Sequence, residues 1–184
     1  QEFDIDTDLF QSGFIQSYND KNVLISDSET QKMLRDYYME VRMEKSERQK
    51  LLSEENKIKS EKFLEENKLK SDIIELESGL QYKILRSGSG SNPNINETVL
   101  VHYTGKTMDG TIFDSSRERD EPAEFSLRSV IKGWTEALQL MKTGDNWEIY
   151  IPPKLGYGRR GSGGKIGPNE VLIFDVELVK IIKN

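Results

Sequence analysis

All five prolines (Pro93, Pro122, Pro152, Pro153 and Pro168) and 13 of the 14 glycines lie at or after Gly79, while the first 78 residues contain only Gly13. Glycine and proline are the two residues a helix interior tolerates least. The first segment can therefore run as uninterrupted helix, whereas the second must turn often. The predicted architecture is α+β, with an all-helical region over residues 1–77 followed by a β-rich unit over residues 78–184.

Charge divides at the same place. Residues 1–77 carry 12 Lys and Arg against 19 Asp and Glu, and residues 78–184 carry 14 against 13, within a chain of net charge −6. Neither part has the basic excess that binding to nucleic acid or to an anionic membrane surface requires. There is no cysteine, which excludes disulfides, thiol nucleophiles and zinc-thiolate sites. No apolar run approaches the roughly 20 residues needed to span a bilayer. The chain opens on Gln1 rather than Met, which fits removal of a signal peptide as readily as a trimmed boundary.

Within the helical region, Asp8–Asp20 places Leu9, Phe10, Phe14, Ile15 and Tyr18 at helical spacing, giving a short amphipathic helix. Ser26 and Glu29 have the spacing of a capping box, so a second helix is expected to start near Asp27. Met33, Leu34, Tyr37, Tyr38 and Val41 then form an apolar stripe. Beyond Val41 the stripe thins: residues 44–70 hold 15 charged side chains and six apolar ones, with opposite charges interspersed as on a solvated helix. The spacing predicts one helix of about 40 residues, about 60 Å long. Its apolar surface is too small for independent folding, so its first third is expected to pack against the short helix of a second subunit. An intramolecular helical hairpin is the alternative.

After Gly79 the apolar period becomes two. Leu80–Leu85, Thr98–Tyr103, Asn146–Ile151 and Val171–Val179 are predicted strands bounded by turn formers. Ser129–Met141 puts Ile131, Trp134, Leu138 and Met141 on one face of a short helix. Together these make an antiparallel sheet wrapped on one helix.

The stretch Val101–Asp114, VHYTGKTMDGTIFD, is followed by VIKGW at Val130–Trp134 and LGYG at Leu155–Gly158. It sets aromatic and aliphatic residues around one acid, Asp114, without the nucleophile, base or metal cluster that bond-breaking chemistry needs. On pattern alone, Phe125, Val130, Trp134 and Phe174 also read as ordinary core, and Asp114 as a turn cap. His102 neighbours Tyr103 on an alternating strand and should face away from it. Gly156–Gly161, GYGRRG, matches G-x-G-x-x-G, but two prolines precede it and a glycine-rich loop follows, so a dinucleotide site is not expected.

The ordered series VHYTG, DG, FDSS, VIKGW, EAL, IP, YG, PN and DVEL resembles the FK506-binding type of peptidyl-prolyl cis-trans isomerase from Val99 to Leu178. The helical segment, with FLEENK at Phe63–Lys68 and SGLQYKIL at Ser78–Leu85, is similar to the bacterial subgroup typified by the macrophage infectivity potentiator. The resemblance implies an isomerase acting on X-Pro bonds of proline-containing unfolded or partly folded polypeptides, open to macrolide inhibitors. It also implies a homodimer built through the N-terminal helices, no cofactor or metal, and a place in the bacterial periplasm or envelope, with the cytoplasm as alternative. A non-catalytic holdase or prolyl-segment binding module is the second functional reading.

Carried over residue by residue, the resemblance implies a catalytic set of Tyr103, Asp114, Trp134 and Tyr157. It adds substrate-binding roles for Phe113, Arg119, Phe125, Val130, Ile131, Ile166 and Phe174. Trp134 would floor the pocket, Tyr103, Phe113 and Phe174 would wall it, and the Ile131 N–H and Tyr157 hydroxyl would hold substrate carbonyls. Asp114 would sit nearest the twisting amide, held by Tyr103 and by a bidentate pair with Arg119 in a dry site. The chain departs from the family pattern at Ala123, Gly156, Ser162, Lys165 and Gly167, where macrolide affinity and preference for the residue before proline would be set.

Overall fold

The computed structural model describes residues 6–18 and 26–182. Helix α1 spans Thr7–Tyr18. It is capped by Asp6, whose carboxylate accepts the Asp8 and Leu9 N–H groups at 3.1 and 3.0 Å. Asn19 and Asp20, which the apolar spacing assigned to this helix, lie outside the described residues. Helix α2 runs unbroken over Asp27–Asn67, 41 residues. Its start is the expected capping box: Ser26 N–H donates to Glu29 Oε2 at 2.9 Å, and Glu29 N–H to Ser26 Oγ at 3.3 Å.

The backbone divides into two units, residues 1–48 and 49–184. The division falls inside α2. In the first unit the apolar faces of both helices stay exposed: Leu9, Phe10 and Phe14 are 64, 65 and 64% accessible, and Met33, Tyr38 and Met39 are 60, 66 and 63%.

The second unit is a seven-stranded antiparallel sheet with a helix on each face. Its strands are β1 (Ile74–Glu75), β2 (Gln81–Arg86), β3 (Thr98–Thr107), β4 (Ile112–Ser115), β5 (Ala123–Ser126), β6 (Asn146–Ile151) and β7 (Leu172–Ile182), in spatial order β1-β2-β6-β7-β3-β4. β5 also pairs with β3, taking its first half while β4 takes its second. The long final strand β7 lies between β6 and β3, so the chain's last element is central rather than an edge. Strands β1, β4 and β5 were not expected from the sequence. Each has four residues or fewer, too short for alternation to register.

Helix α3, Lys132–Leu140, lies across one face. Trp134, Ala137, Leu138 and the following Met141 are buried there against Val99, Val101, Trp147, Ile149, Phe174 and Leu178. At about 1.5–3 kcal/mol for each large side chain, this layer is the main source of stability. On the opposite face the last third of α2 covers a smaller cluster, in which Phe63 and Leu64 pack on Tyr150, Val171 and Ile173. That docking was not expected for a helix read as solvated. The buried positions of α2 are Ser53, Asn56, Ser60 and Asn67, all polar, so apolar spacing passes over them.

Candidate functional site

β3 alternates strictly between buried and half-buried positions, which turns Val99, Val101 and Tyr103 toward α3 and His102 to the other side, where its Nδ1 lies 3.3 Å from Ser116 Oγ. Between the sheet, the start of α3 and the β6–β7 connection lies a cavity of about 460 Å³. β3 contributes Tyr103, β4 Phe113 and Asp114, β5 Phe125, the approach to α3 Ser129, Val130 and Ile131, α3 Trp134, and β7 Phe174. The β6–β7 connection adds Tyr157, Ser162, Gly163, Lys165 and Ile166.

Trp134 is the centre of the arrangement. It is 4% exposed, and the rings of Tyr103, Phe125 and Phe174 stand edge-on around it, with centroids 5.2, 5.3 and 5.2 Å away and interplanar angles of 87, 80 and 78°. Phe113 meets Phe174 in the same way at 5.4 Å. Edge-to-face packing fixes each ring beyond what burial alone would do. Gly105 makes the crossing possible, because a Cβ there would lie 2.6 Å from both Phe113 Cε2 and Phe174 Cε1. Gly105, Ser129 and Gly163 were not among the site residues expected from the sequence. Gly105 has a signal in hindsight, a glycine inside a strand, which marks close backbone approach.

Ile131 precedes the first turn of α3 as its N-cap, so its N–H lies outside the helical hydrogen-bond ladder and is available at the cavity. Tyr157, 41% exposed, projects from the start of a 3-10 turn over Gly158–Arg160. GYGRRG thus runs through short turns, without the strand-to-helix geometry of a dinucleotide loop. Ser162 and Ile166 close a narrow hairpin by exchanging N–H···O bonds of 2.9 and 3.0 Å.

The acid sits at the rim. Tyr103 Oη donates a short hydrogen bond to Asp114 Oδ2. Arg119 gives one nitrogen to Asp114 Oδ1 at 2.7 Å and the other to Tyr103 Oη at 3.3 Å. The expected bidentate pair is thereby corrected to a split fork, since Tyr103 occupies the second carboxylate oxygen. The expected dry setting is corrected too: the Arg119 and Asp114 side chains are 53 and 46% exposed, because β4 presents Asp114 on its outer side. Partial burial pushes the Asp114 carboxyl up, but the Tyr103 hydroxyl and the Arg119 guanidinium outweigh it and hold it below the usual carboxylate value. Burial, then the Asp114 contact, raises Tyr103.

Of the eleven candidates from the sequence, ten line this one cavity, and Arg119 reaches it through Asp114 and Tyr103. Among the described residues no group of three His, Cys, Asp or Glu side chains is placed to hold a metal ion. The cavity can desolvate an apolar ring and orient polar backbone at its edge.

Comparison with known proteins gives the family and the fold. Residues 89–179 match the family model described as FKBP-type peptidyl-prolyl cis-trans isomerase, and residues 1–84 match the domain amino terminal to FKBP-type peptidyl-prolyl isomerase. The chain is 41% identical over 183 residues to the outer membrane protein MIP of Legionella longbeachae, covering 100% of this chain and 78% of that one. It is 42% identical over 179 residues to the peptidyl-prolyl cis-trans isomerase Mip of Coxiella burnetii, covering 97 and 78%. The crystal structure of FkpA from Escherichia coli superposes with a TM-score of 0.79 at 33% identity, over 96% of this chain and 82% of that one.

Proposed function

Because the chain belongs to the FKBP-type peptidyl-prolyl cis-trans isomerases, we propose that the cavity around Trp134 is where it turns the X-Pro bond. The activity itself, cis-trans isomerisation of prolyl peptide bonds, is that of the family. The observation that carries the site is the edge-on aromatic cage, with one oriented carboxylate at its rim.

The reaction rotates an amide across a barrier of about 18–20 kcal/mol that resonance sets, with no covalent bond broken. At the twisted transition state the amide has lost resonance and is less dipolar than the planar ground state. Water favours the planar form, so moving the bond against Trp134, Phe125 and Phe174 removes that preference and lowers the barrier. In this reading the proline ring rests on Trp134, while the Ile131 N–H and the Tyr157 hydroxyl hold the flanking carbonyls in place. Asp114, kept ionised by Tyr103 and Arg119, faces the amide with fixed orientation and exchanges no proton. A pre-set field of this kind needs no reorganisation as the bond twists.

The polypeptide partners are proline-containing segments in unfolded or partly folded chains. In this reading a macrolide of the FK506 type competes with the prolyl segment for the same apolar cavity. Residues 78–184 carry the isomerase site, and residues 1–77 serve self-association into a homodimer, supported by the exposed apolar faces of α1 and α2. A place in the cell envelope draws support from the relative named as an outer membrane protein; no described helix is long and apolar enough to cross a membrane.

The test is a protease-coupled assay of a short X-Pro peptide, with and without FK506, on the native chain and on Asp114→Val and Trp134→Ala. Inhibitable turnover that both substitutions sharply reduce is expected. Turnover intact in both would remove this cavity from the reaction. Suppression of client aggregation that persists in Trp134→Ala but is lost on substituting α1 would instead favour a holdase role for the helices.

A further inference from the structure

The pocket-lining hairpin is anchored by a part of α2 that does not line the cavity. Asn56 Nδ2 donates to the Pro168 carbonyl at 2.9 Å. Ser60 Oγ donates to the Asn169 carbonyl at 2.8 Å and accepts the Val171 N–H at 3.2 Å. Asn169 Nδ2 in turn donates to Ser53 Oγ at 2.8 Å. Ser53, Asn56 and Ser60 are 7, 8 and 1% exposed, on a helix that is otherwise mostly exposed. Buried polar groups of this kind are directional and expensive to leave unpaired.

The segment they hold is the base of the hairpin. Ile166 lines the cavity one residue before Gly167, and the Asn169 N–H donates to the Gly158 carbonyl at 2.8 Å, beside Tyr157. Asn169 has φ 53°, in the left-handed region that few side chains adopt, and its amide is held there by Ser53. Gly167 fits the same contact: a Cβ there would lie 2.7 Å from Asn56 Nδ2. The helix side chain and the missing loop side chain occupy one space.

We propose that Asn56 and Ser60, with Ser53 behind them, are positioning residues for the isomerase site. They fix Pro168, Asn169 and Val171, and through these the placement of Ile166 and Tyr157 over the bound prolyl segment. The way α2 is seated then sets substrate affinity and preference. This rests on the cavity being the isomerase site.

Asn67 supplies a matched control. Its Nδ2 makes an equally buried bond to Gln81 Oε1 at 2.9 Å, also joining α2 to the sheet, but at β2 and away from the cavity. In the full-length chain, Asn56→Ala and Ser60→Ala are expected to raise KM for X-Pro peptides about three- to tenfold, to alter the ranking of residues before proline, and to move kcat less. Asn67→Ala is expected to lower Tm while leaving KM unchanged. Gly167→Ala should raise KM in the native background and much less in Asn56→Ala, a non-additivity that reports the shared space even if Ser60→Ala does not fold. An Asn56→Ala chain with native KM and peptide ranking, or additive effects of Asn56→Ala and Gly167→Ala, would overturn the positioning role alone. Turnover untouched by Trp134→Ala would overturn the cavity reading and the positioning role with it.

Discussion

Arg119 divides its guanidinium between Asp114 Oδ1 and Tyr103 Oη, and the consequences are testable one residue at a time. A lysine has no planar fork and cannot make both contacts. Arg119→Lys should therefore lower kcat/KM about three- to tenfold, while Tm changes little because solvent screens an ion pair this exposed. Kinetics and calorimetry on the same preparation check both halves. The pH profile follows from the direction of the Asp114 shift. A carboxyl held below its usual value stays ionised down through the ordinary Asp range of about 3.9, and what its charge contributes disappears only as pH falls through the lower folded value. Turnover is thus expected to be level from about pH 9 to about pH 5. The raised Tyr103 hydroxyl, buried and bonded to Asp114, keeps the alkaline end above about 10. The ring residues were legible because their order along the chain carries the family pattern. The wetness of Asp114 was not, since exposure depends on which side of β4 is covered, and β4 itself was too short to read.

Elements were legible in proportion to their apolar regularity. The runs that became β2, β3, β6, β7 and α3 showed alternation or a helical face in the sequence, and the Ser26 capping box placed the start of α2. The dock of α2 was hidden because it is written in Ser53, Asn56, Ser60 and Asn67, residue types that sequence patterns assign to solvent. Two predictions belong here. Ser26→Ala removes the hydroxyl that accepts the Glu29 N–H, and should cost about 1 kcal/mol of helix stability; circular dichroism on melting should show fraying at that end, with peptide turnover unchanged. Gly105→Ala forces a methyl between Phe113 and Phe174. It is expected to destabilise the sheet unit by about 1–3 kcal/mol and to weaken macrolide affinity together with turnover, because the crossing of those two rings shapes one wall of the cavity. Calorimetry with inhibitor titration would show it, and unchanged affinity would mean that the wall accommodates the methyl.

At the scale of the whole molecule, the exposed apolar side chains of the first unit are the feature that the dimer reading explains. Leu9, Phe10 and Phe14 on α1, and Met33, Tyr38, Met39 and Met43 on α2, are 60% or more accessible. Large apolar side chains exposed in this number are typical of an interface. A second copy is an occupant of matching chemistry, since α1 offers aromatic and aliphatic bulk and α2 offers methionine, which adapts to irregular partners. The native chain of 21.2 kDa should therefore sediment as a dimer, and Phe10→Ser combined with Met39→Glu should yield monomers. Every residue lining the cavity lies between Tyr103 and Phe174, so turnover of a short peptide per chain should survive the change. Catalysis of a proline-limited refolding reaction should not survive it equally. Two sites on one dimer hold a long client at high effective concentration, and that advantage is lost when the copies separate. A several-fold fall in refolding catalysis at constant peptide turnover would assign the helices to client capture through pairing. Equal losses in both assays would mean that the first unit acts on the cavity itself, and a native chain that sediments as a monomer would end the dimer reading.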